Sequence, residues 1–513
     1  MPQPQQKPEQ LTGLTLVIAT FAIAMANFMN VLDTTISVVS VPTIAGALGA
    51  TPSQGTWVIT IYAVSLAVIL PLAGWITRRY GQVRVFITAL ITFTLMSTLC
   101  GMATNFDSLL VFRALQGLSG GLMLPLSQSL LVRIFPPEKQ GKAISIWGLT
   151  SAVAPVAGPV LGGYITDNYG WPWIFYINIP LGLVCAYFCR RLLGPFETPR
   201  VKLPIDIPGL VLLVVCIFSL QIMLDRGHEL DWLASETIQV LAVIFACTLA
   251  LFIAWERDEA NPVVDFSVFS YPGFLLGSLA ATSIYTCLVV SLVVFPIWLQ
   301  TMMDLTSSIT GLILAPTSAA AVILMPVISK KLGHLDPRPM IFIGTLAAAA
   351  GLYLHTLSFT TINSEFIAWS RVLFGLGMPL AFFPLLTLSF ANIPPEKMPG
   401  ASGINNFMRM LGASAGTAVG ITLWENRTIY HHSQLTEMVS PNGGINQTSW
   451  QSMQDKLPSL DISLQLLERE IQRQATTLAL NDLFIAGIIL LAPIFAILLF
   501  IKPKKMPKAP AKS

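Results

Sequence analysis

The sequence predicts an all-α membrane protein of about 14 transmembrane helices, two six-helix bundles plus two inserted helices. Three observations lead there: a composition too apolar for a soluble chain, a train of apolar windows of membrane-crossing length, and an internal repeat at constant offset. Of 513 residues, 54% are hydrophobic and 11% charged, against about 25% charged in a soluble domain. A water-soluble fold of this length cannot hide so much apolar surface, whereas a bilayer removes the need. The net charge of +3 says little by itself; the placement of the basic residues says more.

A hydrocarbon core of about 30 Å needs roughly 20 apolar residues in a helix. Windows of that size give expected spans at 14–40, 55–75, 84–104, 107–132, 143–165, 173–193, 207–224 and 236–255. The rest are 273–299, 308–329, 340–357, 364–391, 401–424 and 482–501. The run from Leu14 to about Ser40 is too long for a signal-peptide core and has no small-residue cleavage site, so it reads as an uncleaved first helix.

With the N-terminus inside, alternate loops carry Arg78, Arg79 and Arg84, then Arg133, Lys139 and Lys142, then Arg190, Arg191, Arg200 and Lys202. Later inside loops add Arg257, Lys330, Lys331, Arg338 and Lys397, and the tail has five lysines from Lys502 to Lys512. Among short loops on the other side only Arg226 is basic. Positive loops stay cytoplasmic, so both termini are expected there. One outside segment, 425–481, is long and polar. In it Leu460, Leu464, Leu467 and Ile471 recur at helical spacing beside Glu468, Arg469 and Glu470. That predicts an amphipathic external helix, either a lid on the protein's own mouth or a dock for a partner protein.

Cys100, Cys185, Cys189, Cys216, Cys247 and Cys287 all lie in apolar stretches without a CxxC pair or a His at metal-ligand spacing. They read as buried, inert thiols.

The repeat is specific. Arg113-x-x-x-Gly117 precedes Pro136-Pro137-Glu138-Lys139, and Arg371-x-x-x-Gly375 precedes Pro394-Pro395-Glu396-Lys397, with every matched position 258 residues apart. The same shift carries Leu14 to 272, where the ninth span begins. The expected organisation is therefore a six-helix unit at 1–205, an inserted pair and linker at 206–272, and a second six-helix unit at 273–513 that includes 425–481.

Two parallel six-helix repeats suggest the major facilitator architecture, and the motifs strengthen this. Gly74-Trp-Ile-Thr-Arg78-Arg79-Tyr-Gly81-Gln-Val-Arg84 resembles that superfamily's cytoplasmic gate motif. The fifth span, with Gly148, Pro155, Gly158-Pro159 and Gly162-Gly163, is similar to the antiporter motif of drug exporters. Leu32-Asp33-Thr34-Thr35-Ile36, Trp173 to Gly182 through Asn178, and Trp424 to His431-His432 resemble the 14-helix drug:proton antiporters of EmrB/QacA type. The resemblance covers nearly the whole chain. It departs at Arg78, where the superfamily usually has an Asp that latches the cytoplasmic side.

Asp33 lies about nine residues before the outer end of its span, roughly 13 Å deep at 1.5 Å per residue. A carboxylate there is costly unless it faces water or a partner. It is the expected proton-coupling group; the alternative is a static packing carboxylate. Arg113, in the same half of the membrane, is expected to compete for the Asp33 charge, or else to snorkel outward. Arg371 is ambiguous, because Ser291 stands where Asp33 would be in the repeat. Arg409, near Asn405 and Asn406, is a cavity contact or part of a packing network. The glycines and prolines of the fifth span permit close packing and bending. Candidate cavity residues are Met29, Asn30, Gln116, Gln128, Phe295, Met378, Phe382 and Arg409; Met25, Met123, Trp57, Trp298, Phe383 and Asn27 add soft apolar or polar lining.

The resemblance implies proton-driven export of hydrophobic drugs across the bacterial inner membrane, beside an EmrA-like periplasmic adaptor and a TolC-like outer-membrane channel. The proton gradient would be the energy source, with no cofactor, no metal and no nucleic-acid partner. Alternatives are export of an endogenous metabolite (siderophore, fatty acid or bile-salt-like compound) and a sensor that no longer transports. An enzyme is disfavoured, since there is no P-loop, HExxH or GxSxG at a strand–helix turn. His431 and His432 form a pair without ligand companions.

Overall fold

The computed structural model describes residues 11–50, 52–55, 57–136, 139–201, 204, 206–227, 230–259, 262–305, 307–331, 336–357, 364–439 and 460–500. Pro137 and Glu138 of the first PPEK, the centre of the long external segment and the basic tail lie outside these, as does the Pro159 side chain. All regular elements among the described residues are helices: α1 (Gly13–Ala47), α2 (Trp57–Ile69), α3 (Ala73–Tyr80), α4 (Gln82–Gly101), α5 (Phe106–Ile134), α6 (Gln140–Tyr169), α7 (Asn178–Leu192), α8 (Ile207–Arg226) and α9 (Glu236–Asp258). They continue as α10 (Phe274–Thr301), α11 (Ser307–Lys331), α12 (Pro337–His355), α13 (Ser364–Phe390), α14 (Met398–Val439), α15 (Leu460–Leu491) and α16 (Pro493–Phe500). A helix closes its backbone hydrogen bonds internally, which is what an apolar surround demands.

Breaks occur where that ladder fails. Pro71, between α2 and α3, has no N–H to donate, and the two helices meet at 61°. α6 bends by 49° between Pro155 and Val160. Elsewhere caps set the ends: the Asn105 side chain accepts from Ser108 N at 2.8 Å to start α5.

Ten helices among the described residues are long and apolar enough to cross a membrane, twelve if each bent pair is one span. By this measure the expected count of 14 is not confirmed. Helices do occupy the windows at 308–329 and 401–424, but neither passes on length and apolarity. The apolar part of α11 is Leu312–Leu324. α14 buries Asn405, Asn406 and Arg409, polar groups that lower its hydropathy while facing protein rather than lipid.

α1 packs on α5, α6 and α7, and α2 and α4 pack on α5; α13 joins α11 and α12, while α14 joins α10 and α15. The two sets meet where α6 touches α11 and α13 and where α14 touches α3 and α5. α8 and α9 pair with each other and reach the rest mainly through α2 and α14, with Gln221 Nε2 donating to Ser414 Oγ at 2.7 Å. α9 exposes Val240, Val243 and Leu251. Cys247, also on α9, is exposed rather than buried; an outward-facing apolar position needs no protein cover when lipid supplies it.

The described residues of the segment 425–481 are helical, and the expected helix through Leu460, Leu464, Leu467 and Ile471 is the first part of α15. α14 and α15 continue into it as an antiparallel pair. Trp424 Nε1 donates to Thr476 O at 3.1 Å, and Arg427 and His431 both meet Asp482 Oδ2. His432 meets Glu468 at 2.9 Å. Ile471 and Ala475 are buried on the inner face, whereas Leu464 and Leu466 are exposed. Facing apolar residues and these polar contacts hold the two helices together along this stretch.

Candidate functional site

Asp33 on α1 and Arg113 on α5 form a fully buried ion pair, Arg113 Nη1 to Asp33 Oδ2 at 2.7 Å. The other carboxylate oxygen accepts from Gln116 Nε2 at 3.0 Å and from Asn178 Nδ2 at 2.8 Å. Arg113 is held in turn: Nε donates to Val58 O at 3.1 Å, Nη1 also to Gln116 Oε1 at 2.8 Å, and Nη2 to Ser37 Oγ at 3.3 Å. Its guanidinium lies 4.4 Å from the Tyr62 ring centroid. Asn178 also donates to Ser97 Oγ at 2.9 Å. Burial makes each charge costly, and these contacts offset that cost. A snorkelling Arg113 is excluded by its burial. Asn30 stands one turn away, joined to Tyr62 OH at 2.7 Å and Gly120 O at 3.1 Å, with Met29 buried beside it.

The antiporter-motif glycines brace this site from α6. A Cβ at Gly158 would lie 2.1 Å from Thr35 Oγ1, and one at Gly162 would lie 2.7 Å from Ile36 O. Only a bare backbone lets α6 sit this close to the turn of α1 that follows Asp33. Gly148, nearer the other end, faces the Phe383 ring of α13 instead.

A second polar layer lies between the two sets of helices. Gln128 Oε1 on α5 accepts from Ser402 Oγ at 2.5 Å, and Asn406 donates to it at 3.4 Å. Asn406 Oδ1 accepts from Arg409 Nη2 at 2.5 Å. The Arg409 guanidinium is ringed by Tyr285 at 4.9 Å, Phe382 at 5.2 Å and Trp147 at 5.5 Å. Of the sequence-predicted cavity residues, Gln128, Phe382 and Arg409 thus converge. Asn30 and Gln116 belong to the Asp33 cluster, Phe295 stacks on Arg371, and Met29 and Met378 are buried in the core.

At the gate motif, Gly81 at φ +92° turns the chain between α3 and α4, a conformation that favours glycine. The Glu197 carboxylate lies against it, accepting from Val83 N and Arg84 N at 3.0 Å each. It caps the α4 N-terminus, where a negative charge meets unpaired N–H groups. A Cβ at Gly74 would stand 2.7 Å from Gly400 Cα, so α3 and α14 meet backbone to backbone here. Arg78 lines a narrow crevice with Asp265, Glu396 and Lys397, and Lys397 Nζ is 3.2 Å from Asp265 Oδ2. Partial burial pushes the Asp265 carboxyl up, but Ser267 and Lys397 outweigh it and hold it below the ordinary value. Arg79 stacks near Trp75.

Sequence reasoning passed over Asn178 and Glu197 as site residues. The first had an amide among apolar neighbours and its place in the Trp173–Gly182 pattern as signals, and the second a Glu in a basic segment.

Comparisons with known proteins agree with this architecture. Residues 23–417 match the family model described as Major Facilitator Superfamily. The chain is similar to the multidrug export protein EmrB of Escherichia coli K12, 39% identical over 506 residues, covering 97% of each chain. It is similar to the fatty acid resistance protein FarB of Neisseria gonorrhoeae at 38% identity, covering 96% of this chain and 97% of FarB. The solved structure of the proton:xylose symporter XylE shares the fold, with a TM-score of 0.56 at 13% identity, covering 92% and 94% of the two chains. The many apolar helices and the full-length relatives agree: this chain belongs to the major facilitator superfamily of multi-pass membrane transporters.

Proposed function

We propose that the chain is a proton-driven exporter of hydrophobic small molecules across the bacterial inner membrane. The buried Asp33–Arg113 pair carries this reading. Protonating Asp33 removes the charge that Arg113 neutralises, so proton uptake opens the pair and weakens the α1–α5 contact it makes. Alternating exposure of Asp33 to the two sides would link proton flow to rocking of unit 1–205 against unit 273–513, with 206–272 riding outside. The Gly158 and Gly162 contacts with α1 keep the closed state tight during that motion. The layer of Gln128, Asn406, Arg409 and Phe382 is the cargo surface, suited to neutral, zwitterionic or weakly acidic compounds. No cofactor beyond the proton gradient is required.

In this reading the Arg78–Arg84 end and both termini are cytoplasmic. The outward continuations of α14 and α15 dock an EmrA-like adaptor that leads to a TolC-like channel. Similarity to EmrB supports a drug cargo. Similarity to FarB favours a second reading, in which the cargo is an endogenous amphiphile such as a fatty acid.

The test is export from proteoliposomes under an imposed pH gradient, with a hydrophobic dye and with decanoate. Asp33→Asn is expected to abolish gradient-driven export of both. Undiminished export by that variant would overturn the coupling assignment, and wild-type transport of decanoate alone would select the second reading.

A further inference from the structure

The 258-residue repeat carries Arg113 to Arg371, Asp33 to Ser291, Ser37 to Phe295 and Gln116 to Phe374. Each side-chain acceptor around Arg113 is thus a smaller hydroxyl or an aromatic ring around Arg371, yet the guanidinium is kept. Arg371 is fully buried, and its Nη1 donates to Ser291 Oγ at 2.7 Å. Its Nε and Nη2 are buried and meet no acceptor among the described residues. The Phe295 ring centroid is 3.8 Å from the guanidinium carbon, and Phe374 is at 5.9 Å. Behind Phe295 stand Trp298 and Phe484, at 5.6 and 5.7 Å. A ring face offsets part of a buried cation's desolvation, but two unmet donors leave the rest uncompensated. An arginine does not escape by losing its proton. A counter-charge from outside the chain would complete the site.

We propose that Arg371 is an anion-receptive site, at which Nε and Nη2 take the carboxylate head of an amphiphilic cargo. The cargo's apolar tail lies along Phe295, Trp298 and Phe484. The site is closed in this structure. The inference rests on the exporter reading and deepens it by naming a cargo class and the residue that receives it.

The experiment is equilibrium binding of radiolabelled decanoate to the full-length protein in nanodiscs at pH 8, where a carboxylic acid is ionised. Decanol serves as the uncharged match, and empty nanodiscs correct for partition. Wild type is expected to bind decanoate at least about tenfold more tightly than decanol, the scale of one or two charge-assisted hydrogen bonds. Arg371→Gln should bring that ratio to about one. Ser291→Asp places a carboxylate where Asp33 stands relative to Arg113, so it should fold with an undiminished Tm, keep decanol binding and lose the decanoate preference. An unchanged ratio in either folded variant, no preference in wild type, or displacement of decanoate by equimolar acetate would each overturn the proposal. No gradient is applied, so the outcome is independent of whether Asp33 couples transport to protons.

Discussion

A double-mutant cycle on Asp33 and Arg113 tests whether their contact is the energetic centre of the first six helices. Arg113→Gln removes the 2.7 Å contact and leaves the Asp33 carboxylate with only Gln116 and Asn178, neither of them charged. Asp33→Asn leaves the guanidinium with Val58 O, Gln116 and Ser37. Each single change strands one buried charge, which costs roughly 3–5 kcal/mol. The double variant strands none, and its amides retain neighbours with which to hydrogen-bond. Its loss should therefore fall short of the sum of the singles by about 2–3 kcal/mol. The assay is reversible unfolding of the purified protein in mixed micelles, followed by tryptophan fluorescence. The coupling should change little with added salt, because a buried pair is poorly screened. Additivity within about 0.5 kcal/mol would show that the pair is not coupled and that the argument from burial is wrong.

Three further outcomes follow from the geometry. Gly158→Val puts a branched side chain where Thr35 Oγ1 is 2.1 Å from the first added carbon; it should destabilise by about 1–3 kcal/mol, read as a lowered Tm with lost export. Glu197→Gln weakens the cap on α4 by about 1 kcal/mol, and hydrogen exchange should quicken at the Val83 and Arg84 amides while the Asp33 neighbourhood stays protected. Asp265 is held below its ordinary value by Ser267 and Lys397, so its share of stability is complete above about pH 4, where a free Asp ionises, and is lost as pH falls through the depressed value. Asp265→Asn should remove that part of the acid dependence, measured as Tm between neutral and acid pH.

Local patterns made much of this protein readable before its fold. Apolar windows located helices, because a membrane-crossing helix must satisfy its backbone internally and show lipid-compatible side chains. The fixed offset between two Arg-x-x-x-Gly and PPEK blocks revealed duplication, and a lone acid within an apolar span drew attention to Asp33. The same logic left the count of 14 unconfirmed and did not show that α14 and α15 run on into 425–481. Apolar counting sees neither a buried polar face nor the helix–helix contacts through Trp424 and Asp482.

What the sequence by itself determined was thus a multi-pass helical chain with motif blocks repeated at one offset and one conspicuous acid within an apolar span. Only the tertiary structure decided who meets that acid. Arg113, Gln116 and Asn178 come from helices 80 to 145 residues away along the chain. It also decided that Arg371, identical in motif to Arg113, has no such partners among the described residues, and that Glu197 caps the start of α4. Helical periodicity is a property of neighbours within a few turns. The pairing of charges depends on which helices pack together and at what rotation, and that follows from side-chain shape summed over whole interfaces.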